Sequence, residues 1–524
     1  MDHLSGLDAT FLYIETPETP MHVGGLNICE LPAGYSGDFY DDVKQHIASR
    51  LHLASVFQRK LVNMPFELAN PIWVHDDALD LDYHVRSTVL PKPSSRAQLD
   101  KLVGRLHSSL LDRSRPLWEL YVIEGLKSPP GAPKGSRHVA FYSKVHHAAL
   151  DGAGGAALAE AILDIGPVPR EIAPPPRRRK NTGQASESPS LGELTRAGIK
   201  NTGAQYAKIA KMLPALAGTA LQLLRPAKDN LGQTTSRKTG NAWFGPKTPI
   251  NVSVTNQRLF AGLSIPLAEI KAIAKGHEAT LNDVVLAICS GALRNYLATH
   301  GGVPAEPLLA AVPVSLREAG NTELNNQVSM MRISLASTVA DPLERLLAVR
   351  KGSKASKALT GSVKSVLPTD FPSLGAPWLI SGLAALFGRS RLANRMPPLA
   401  NVAISNVPGP KIPLYLAGAK LLTYYPVSIA VHSMALNITV QSYAGALDFG
   451  LTACRKAVPD LPDLADLILA AHHELLRLTP PAAVPAPVAL PAKSVKKKAA
   501  AKPAAKAAAP AKKRATRPRK AATA

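Results

Sequence analysis

Arg137-His-Val-Ala-Phe-Tyr-Ser-Lys-Val145 runs straight into His146-His-Ala-Ala-Leu-Asp-Gly152, and the rest of the chain is best read outward from this passage. Apolar and polar side chains alternate up to Val145, with Val139, Phe141 and Val145 spaced for one face, the pattern of a half-buried strand. The strand therefore ends at two histidines. Asp151 precedes Gly152, Gly154 and Gly155, and Ala156 to Asp164 has helix-forming composition, so the pair stands at a strand end that leads through a glycine-loosened turn into a helix. Catalytic side chains are commonly displayed at such strand ends. An imidazole there can exchange a proton near neutral pH, and a carboxylate four residues on can fix ring orientation and tautomer, directly or through an arginine. The competing reading makes one histidine a core residue and Asp151 a turn residue capping the following helix.

The chain has 524 residues, 46% hydrophobic and 19% charged, enough for two or more domains with their own cores. Its three cysteines, Cys29, Cys289 and Cys454, stand far apart in no metal-like spacing, which argues for a reducing compartment and against structural zinc. No HExxH or CxxC accompanies the histidines, and no GxSxG nucleophile motif occurs. The first residues, Met1-Asp-His-Leu-Ser-Gly-Leu-Asp8, lack a basic region followed by an apolar core, so no secretory signal is read and a cytoplasmic location is expected. Two apolar stretches, Met212–Leu224 and Leu374–Phe387, are shorter than the roughly 20 residues of a spanning helix and point to core packing or a lipid-surface contact. The formal charge is +23, and twelve of the cations fall between Lys493 and Lys520 with no acid among them. Residues 479–524 read as a disordered Lys/Ala/Pro-rich tail, suited to anionic membrane or inclusion surfaces, to non-specific polyanion binding, or to solubility alone.

His-His-x-x-x-Asp-Gly resembles the signature of the CoA-dependent acyltransferase superfamily, which implies that His147 is the general base, with His146 beside it and Asp151 mainly structural. Leu4 to Ile14, Asn70-Pro-Ile-Trp-Val-His-Asp-Asp77 and Asp112-Arg-Ser-Arg-Pro-Leu-Trp-Glu119 resemble blocks of the bacterial wax ester synthase/acyl-CoA:diacylglycerol acyltransferase family. By that resemblance Pro116, Leu117 and Trp118 shape an acyl-binding wall, although packing is the default for an indole. Asn282-Asp283 matches the family's Asn-Asp motif at the head of an apolar helix for which Thr280 and Asn282 are possible caps, so the pair is read as scaffolding. Arg317, after the strand-like Ala311 to Leu316, is the implied partner of Asp151. Ser405 and Asn406, before the Pro408-Gly-Pro410 turn, are suited to the oxyanion or alcohol side of a cleft.

The expected fold is α/β: an N-terminal half at 1–165 carrying the motif, a linker with crossover helices at 166–246, and a C-terminal half at 247–478. Each half is a mixed sheet flanked by helices, with the active-site channel between them. The resemblance implies transfer of a long-chain acyl group from acyl-CoA, as co-substrate with no further cofactor, to diacylglycerol or a fatty alcohol. Transfer to an amine or sugar, and an inactive lipid- or polyanion-coating protein, are the alternatives. Peripheral contact with a membrane or lipid inclusion follows from the tail.

Overall fold

The computed structural model of the chain describes residues 2–64, 70–129, 132–150, 154–174, 244–315, 328–363, 381–382, 386–388 and 390–480. The first half runs β1 (Asp2–His3), α1 (Gly6–Ile14), β2 (His22–Glu30), α2 (Phe39–Ala48), β3 (Arg59–Val62), β4 (Ile72–His75), α3 (Leu81–His84), β5 (Val85–Val89), α4 (Arg96–Ser108), β6 (Trp118–Leu126), β7 (His138–His146) and α5 (Gly154–Ile162). The second runs β8 (Arg258–Pro266), α6 (Leu267–Gly276), α7 (Leu281–Thr299), β9 (Leu309–Ser315), β10 (Val328–Ser334), α8 (Pro342–Val363), β11 (Val402–Val407), β12 (Tyr415–Leu416), β13 (Ala419–Leu421), β14 (Tyr425–Val427), β15 (Leu436–Tyr443), β16 (Ala446–Cys454) and α9 (Leu461–Arg477).

Helix boundaries follow local chemistry. Ser95 caps α4 through Gln98 N–H while the Gln98 side chain returns to Ser95 N–H, and Leu99, Val103 and His107 then recur every fourth residue on the buried face. α7 is buried almost continuously from Asp283 to Leu293, as suits a helix apolar all round. Its cap is Thr280, and Asn282 lies inside the first turn.

Both sheets are mixed, as the sequence leads one to expect. The second has the order β10-β9-β11-β15-β16-β8, with β11 parallel to both neighbours. Its Ile438 and Phe449 pack with Ile270, Leu286, Leu346 and Ile468 of α6 to α9. The first sheet has the order β12-β13-β2-β7-β6-β5, with β14 also on β2. One face meets α2 and α5 through Phe39, Ile162 and Phe141, and the other, to which Tyr142 and Val427 belong, meets α4 through Leu99. β1, β4 and β3 make a separate small sheet.

The halves interlock rather than abut. β12 to β14 come from the 247–478 range yet complete the first sheet, pairing Lys420 with Glu30 and Tyr425 with Leu26. β14 also lies close on β16, because a Cβ at Gly450 would fall 1.7 Å from the Pro426 carbonyl oxygen and only glycine leaves that space empty. From the other side α4 packs on β8, where Arg258 N–H donates to Ser108 Oγ at 2.9 Å and Arg96 Nη2 to Gly262 O at 3.1 Å.

Cys29, Cys289 and Cys454 are free and buried. Among the described residues, no helix is long and apolar enough to cross a membrane. Thr479 is buried and its hydroxyl donates to Leu475 O at 2.9 Å, so the folded body extends one residue into the range read as tail. The linker helices expected within Leu191–Leu224, most of Leu374–Phe387 and the tail from residue 481 lie outside the described residues.

Candidate active site

His146 is the last residue of β7, in register with His22, and its N–H donates to Leu117 O at 3.0 Å. Its imidazole is fully buried. Nδ1 accepts the Ala148 N–H at 3.1 Å, so the ring proton belongs on Nε2, which lies 3.2 Å from Glu15 Oε1. That bond from Ala148 caps a single 3-10 turn over His147–Ala149. The His147 N–H donates to Met21 O at 2.8 Å, and its imidazole lies on Phe11 with ring centroids 4.0 Å apart and planes 18° apart. Phe11 and Glu15 are four residues apart, so the end of α1 sets an aromatic face against His147 and a carboxylate against His146.

Removal from water pushes the His147 pKa down to about 4, the neighbouring His146 adding to the effect and a hydrogen bond to the residue's own backbone opposing it. Nδ1 is buried and bonds to no other residue. The ring is therefore neutral at pH 7, and since Nδ1 is the buried nitrogen, Nε2 is the one that can offer a lone pair to an incoming hydroxyl. Burial works to raise the Glu15 pKa, but the neighbouring His146 imidazole, Arg113 and the Met21 N–H outweigh it and hold the carboxyl at about 2.

Behind this pair lies a second polar group. Lys144 Nζ, fully buried, stands 2.8 Å from Glu119 Oε2 and donates to Leu106 O and Ser109 O, placing a cation on the C-terminal carbonyls of α4. His107, on the same turn, bonds Tyr142 Oη at 2.8 Å and the Ser428 carbonyl at 2.9 Å, and burial pushes its pKa down to about 3. These contacts tie α4, β7 and the segment after β14 together beside the motif.

The remaining residues singled out from the sequence fall into distinct places. Trp118 is core, not channel wall: it is fully buried, Nε1 donates to Phe57 O at 3.1 Å, and its ring stacks on His84 with centroids 4.3 Å apart. Leu117 packs with Leu12, Tyr13 and Ala148, and the buried Pro116 accepts the Trp118 N–H, so the Pro-Leu-Trp block anchors the motif from behind. Asp283 Oδ2 accepts the N–H and hydroxyl of Thr280 at 3.0 and 2.7 Å, which makes Asp283 the capping-box partner of Thr280, and Asn282 is half-buried beside it. Ser405 and Asn406 sit opposite Thr439 and Val440. Adjacent strand residues point to opposite faces, so only Ser405 shares the polar face on which Asn437 reaches the Ile429 carbonyl toward the first half. Asn406 is on the side of the buried Ile404. Asp151, Gly152 and Arg317 lie outside the described residues.

Residues 4–285 match the wax ester synthase/diacylglycerol acyltransferase catalytic domain, and residues 324–475 match the WS/DGAT C-terminal domain. The chain belongs to this family. "Probable diacyglycerol O-acyltransferase tgs2" of Mycobacterium tuberculosis (strain ATCC 25618 / H37Rv) is 35% identical over 470 residues, covering 88% of this chain and 96% of the relative. A second chain of that strain, named provisionally for the same activity, is 36% identical over 474 residues, covering 90% and 99%. The solved wax ester synthase/diacylglycerol acyltransferase from Marinobacter aquaeolei VT8 superposes with a TM-score of 0.63 at 30% identity, covering 90% of this chain and 98% of that one. Among WS/DGAT family motifs, His146-His-x-x-x-Asp151-Gly152 was legible from residue types alone. Phe11, Glu15 and Arg113 were not singled out, although an acid closing the apolar run Phe11-Leu-Tyr-Ile14 is a signal that a partner waits elsewhere.

Proposed function

We propose that the protein transfers a long-chain acyl group from acyl-CoA to the hydroxyl of a diacylglycerol, a long-chain alcohol, or both, giving triacylglycerol or wax ester. The observation that carries this is the neutral His147, held at a strand end in a chain that belongs to the wax ester synthase/diacylglycerol acyltransferase family. Nε2 of His147 takes the hydroxyl proton as the oxygen attacks the thioester carbonyl. The carbon–sulfur bond then breaks, the histidine gives the proton to the departing thiolate, and ester and free CoA leave with the imidazole neutral again. Acyl-CoA is a co-substrate in this scheme, and no further cofactor enters it.

A neutral lipid product must pass to a leaflet or an inclusion. The cations between Lys493 and Lys520 support peripheral contact of a cytoplasmic enzyme with an anionic membrane or lipid-inclusion surface, and the same charge supports non-specific polyanion binding. The activity is tested by offering hexadecanol and diolein in competition with radiolabelled palmitoyl-CoA. Transfer to neither acceptor overturns the substrate reading. His147→Ala should lose about 10²- to 10⁴-fold of the rate while staying folded, and near-normal turnover in that variant overturns the base assignment.

A further inference from the structure

Three hydrogen bonds and one close ionic approach form a ring around the two histidines. Glu15 Oε1 accepts the Met21 N–H at 2.9 Å, and the Met21 carbonyl accepts the His147 N–H at 2.8 Å. The next N–H along the chain, that of Ala148, goes to His146 Nδ1 at 3.1 Å, and His146 Nε2 approaches the same Glu15 oxygen to 3.2 Å, an ionic contact without hydrogen-bond alignment. The backbone of the base is thus enclosed between two ties that end on one carboxylate oxygen. The other oxygen is held by Arg113, from Nε at 3.1 Å and Nη2 at 2.7 Å, and Nη2 also donates to Leu12 O at 2.8 Å, which fixes the carboxylate to the end of α1.

We infer that Glu15, with Arg113 behind it, is a positioning residue for His147, setting through His146 and Met21 the direction in which the base is presented. Glu15 touches no reacting atom in this scheme. Its side chain is 2% exposed while that of Arg113 is 42% exposed, so the carboxylate bears most of the desolvation of the pair. A buried ion pair is often no more stabilising than apolar packing, so fold stability alone is a weak reason for a carboxylate here. Convergence of its donors on the flanks of the base gives a stronger one. Without the carboxylate, His146 Nε2 loses the oxygen that faces it and the ring is free to turn. The Ala148 N–H then loses its cap, and the 3-10 turn that begins at His147 loosens.

The inference rests on His147 being the base, and the experiment separates the two ideas. Full-length Glu15→Ala, Glu15→Gln and His147→Ala are compared with wild type for kcat, KM for palmitoyl-CoA and Tm. Misplacing a base by about 1 Å costs about 10²-fold, so Glu15→Ala should lose about 10- to 100-fold in kcat with KM for palmitoyl-CoA little changed. Glu15→Gln keeps an oxygen that can face both Met21 and His146 but turns its NH2 on Arg113, and should recover part of that loss. A folded Glu15→Ala protein with wild-type kcat, or a Gln variant as impaired as the Ala variant, overturns the inference. If His147→Ala is also active, the base assignment fails; if His147→Ala is dead while Glu15→Ala is normal, only the positioning role fails. Should Glu15→Ala not fold, Glu15→Asp decides. One methylene shorter, its carboxylate cannot serve Met21 and His146 together, so reduced kcat at constant KM supports the inference and full kcat overturns it.

Discussion

Replacing Phe11 with alanine should move the acid limb of the pH–rate profile. The Phe11 ring covers His147 at 4.0 Å, and exclusion of water is the largest cause holding that imidazole at about 4 in place of 6.5. A base acts in its unprotonated form, so a lowered pKa extends activity toward acid. At pH 5 a histidine with a pKa of about 4 is roughly nine-tenths neutral, whereas one of ordinary pKa is about 3% neutral. Wild-type kcat/KM should then be nearly flat from pH 8 to about 5 and fall about tenfold per pH unit only below about 4. Alanine at position 11 admits water over the ring and returns the pKa toward its ordinary value. The ratio of variant to wild-type kcat/KM should therefore drop by up to about 30-fold between pH 7.5 and pH 5, the difference between those two neutral fractions. Taking the ratio cancels ionisations of the acyl-CoA, and a Tm measured alongside accounts for the packing lost with a partly exposed ring. A ratio constant within about twofold over that range refutes the argument, because it means that Phe11 does not set the solvation of the base.

Acid should also cost stability. Buried His107, with its pKa near 3, binds fewer protons folded than unfolded, so its stabilising share is complete above about 6.5 and shrinks by about 2 kcal/mol on going to pH 5; calorimetry should record a falling Tm over that interval, and a level one counts against the neutral buried imidazole. Trp118→Ala should destabilise the protein by about 3–5 kcal/mol in urea titration, as deletion of a core indole does, while an unchanged midpoint would place the ring in an open channel after all. Removing residues 481–524 should leave turnover of detergent-dispersed substrate unaltered and reduce sedimentation with anionic liposomes at low salt, since each cation near a charged surface adds about 1 kcal/mol and salt screens it; equal sedimentation of the truncated chain would shift membrane contact to the folded body.

The sequence made legible what one segment settles for itself. β7 could be read as a strand from its alternating residue types, although both of its faces prove to be buried rather than one, and α7 announces its start through Thr280. β12, β13 and β14 have two or three residues each, too few to display any period, and nothing local says that Tyr425 will lie against Leu26 of the first half. The interlocking of the halves therefore appears only when distant strands are paired. The same limit governs the site. Histidine pairs identify themselves by residue type, but whether Trp118 faces lipid or core is decided by Phe57 and His84, on separate elements. The opposition of Ser405 and Asn406 is a different case: once both are placed on one strand, its two-residue repeat already forbids them a common cleft. His146 illustrates the limit most sharply. From the sequence it is only the companion of the base, since neither Glu15 nor the Ala148 N–H can be assigned to it before the chain is folded. Once those two partners are known, its tautomer follows, and with the tautomer the route by which a carboxylate on α1 can hold a base at the end of β7.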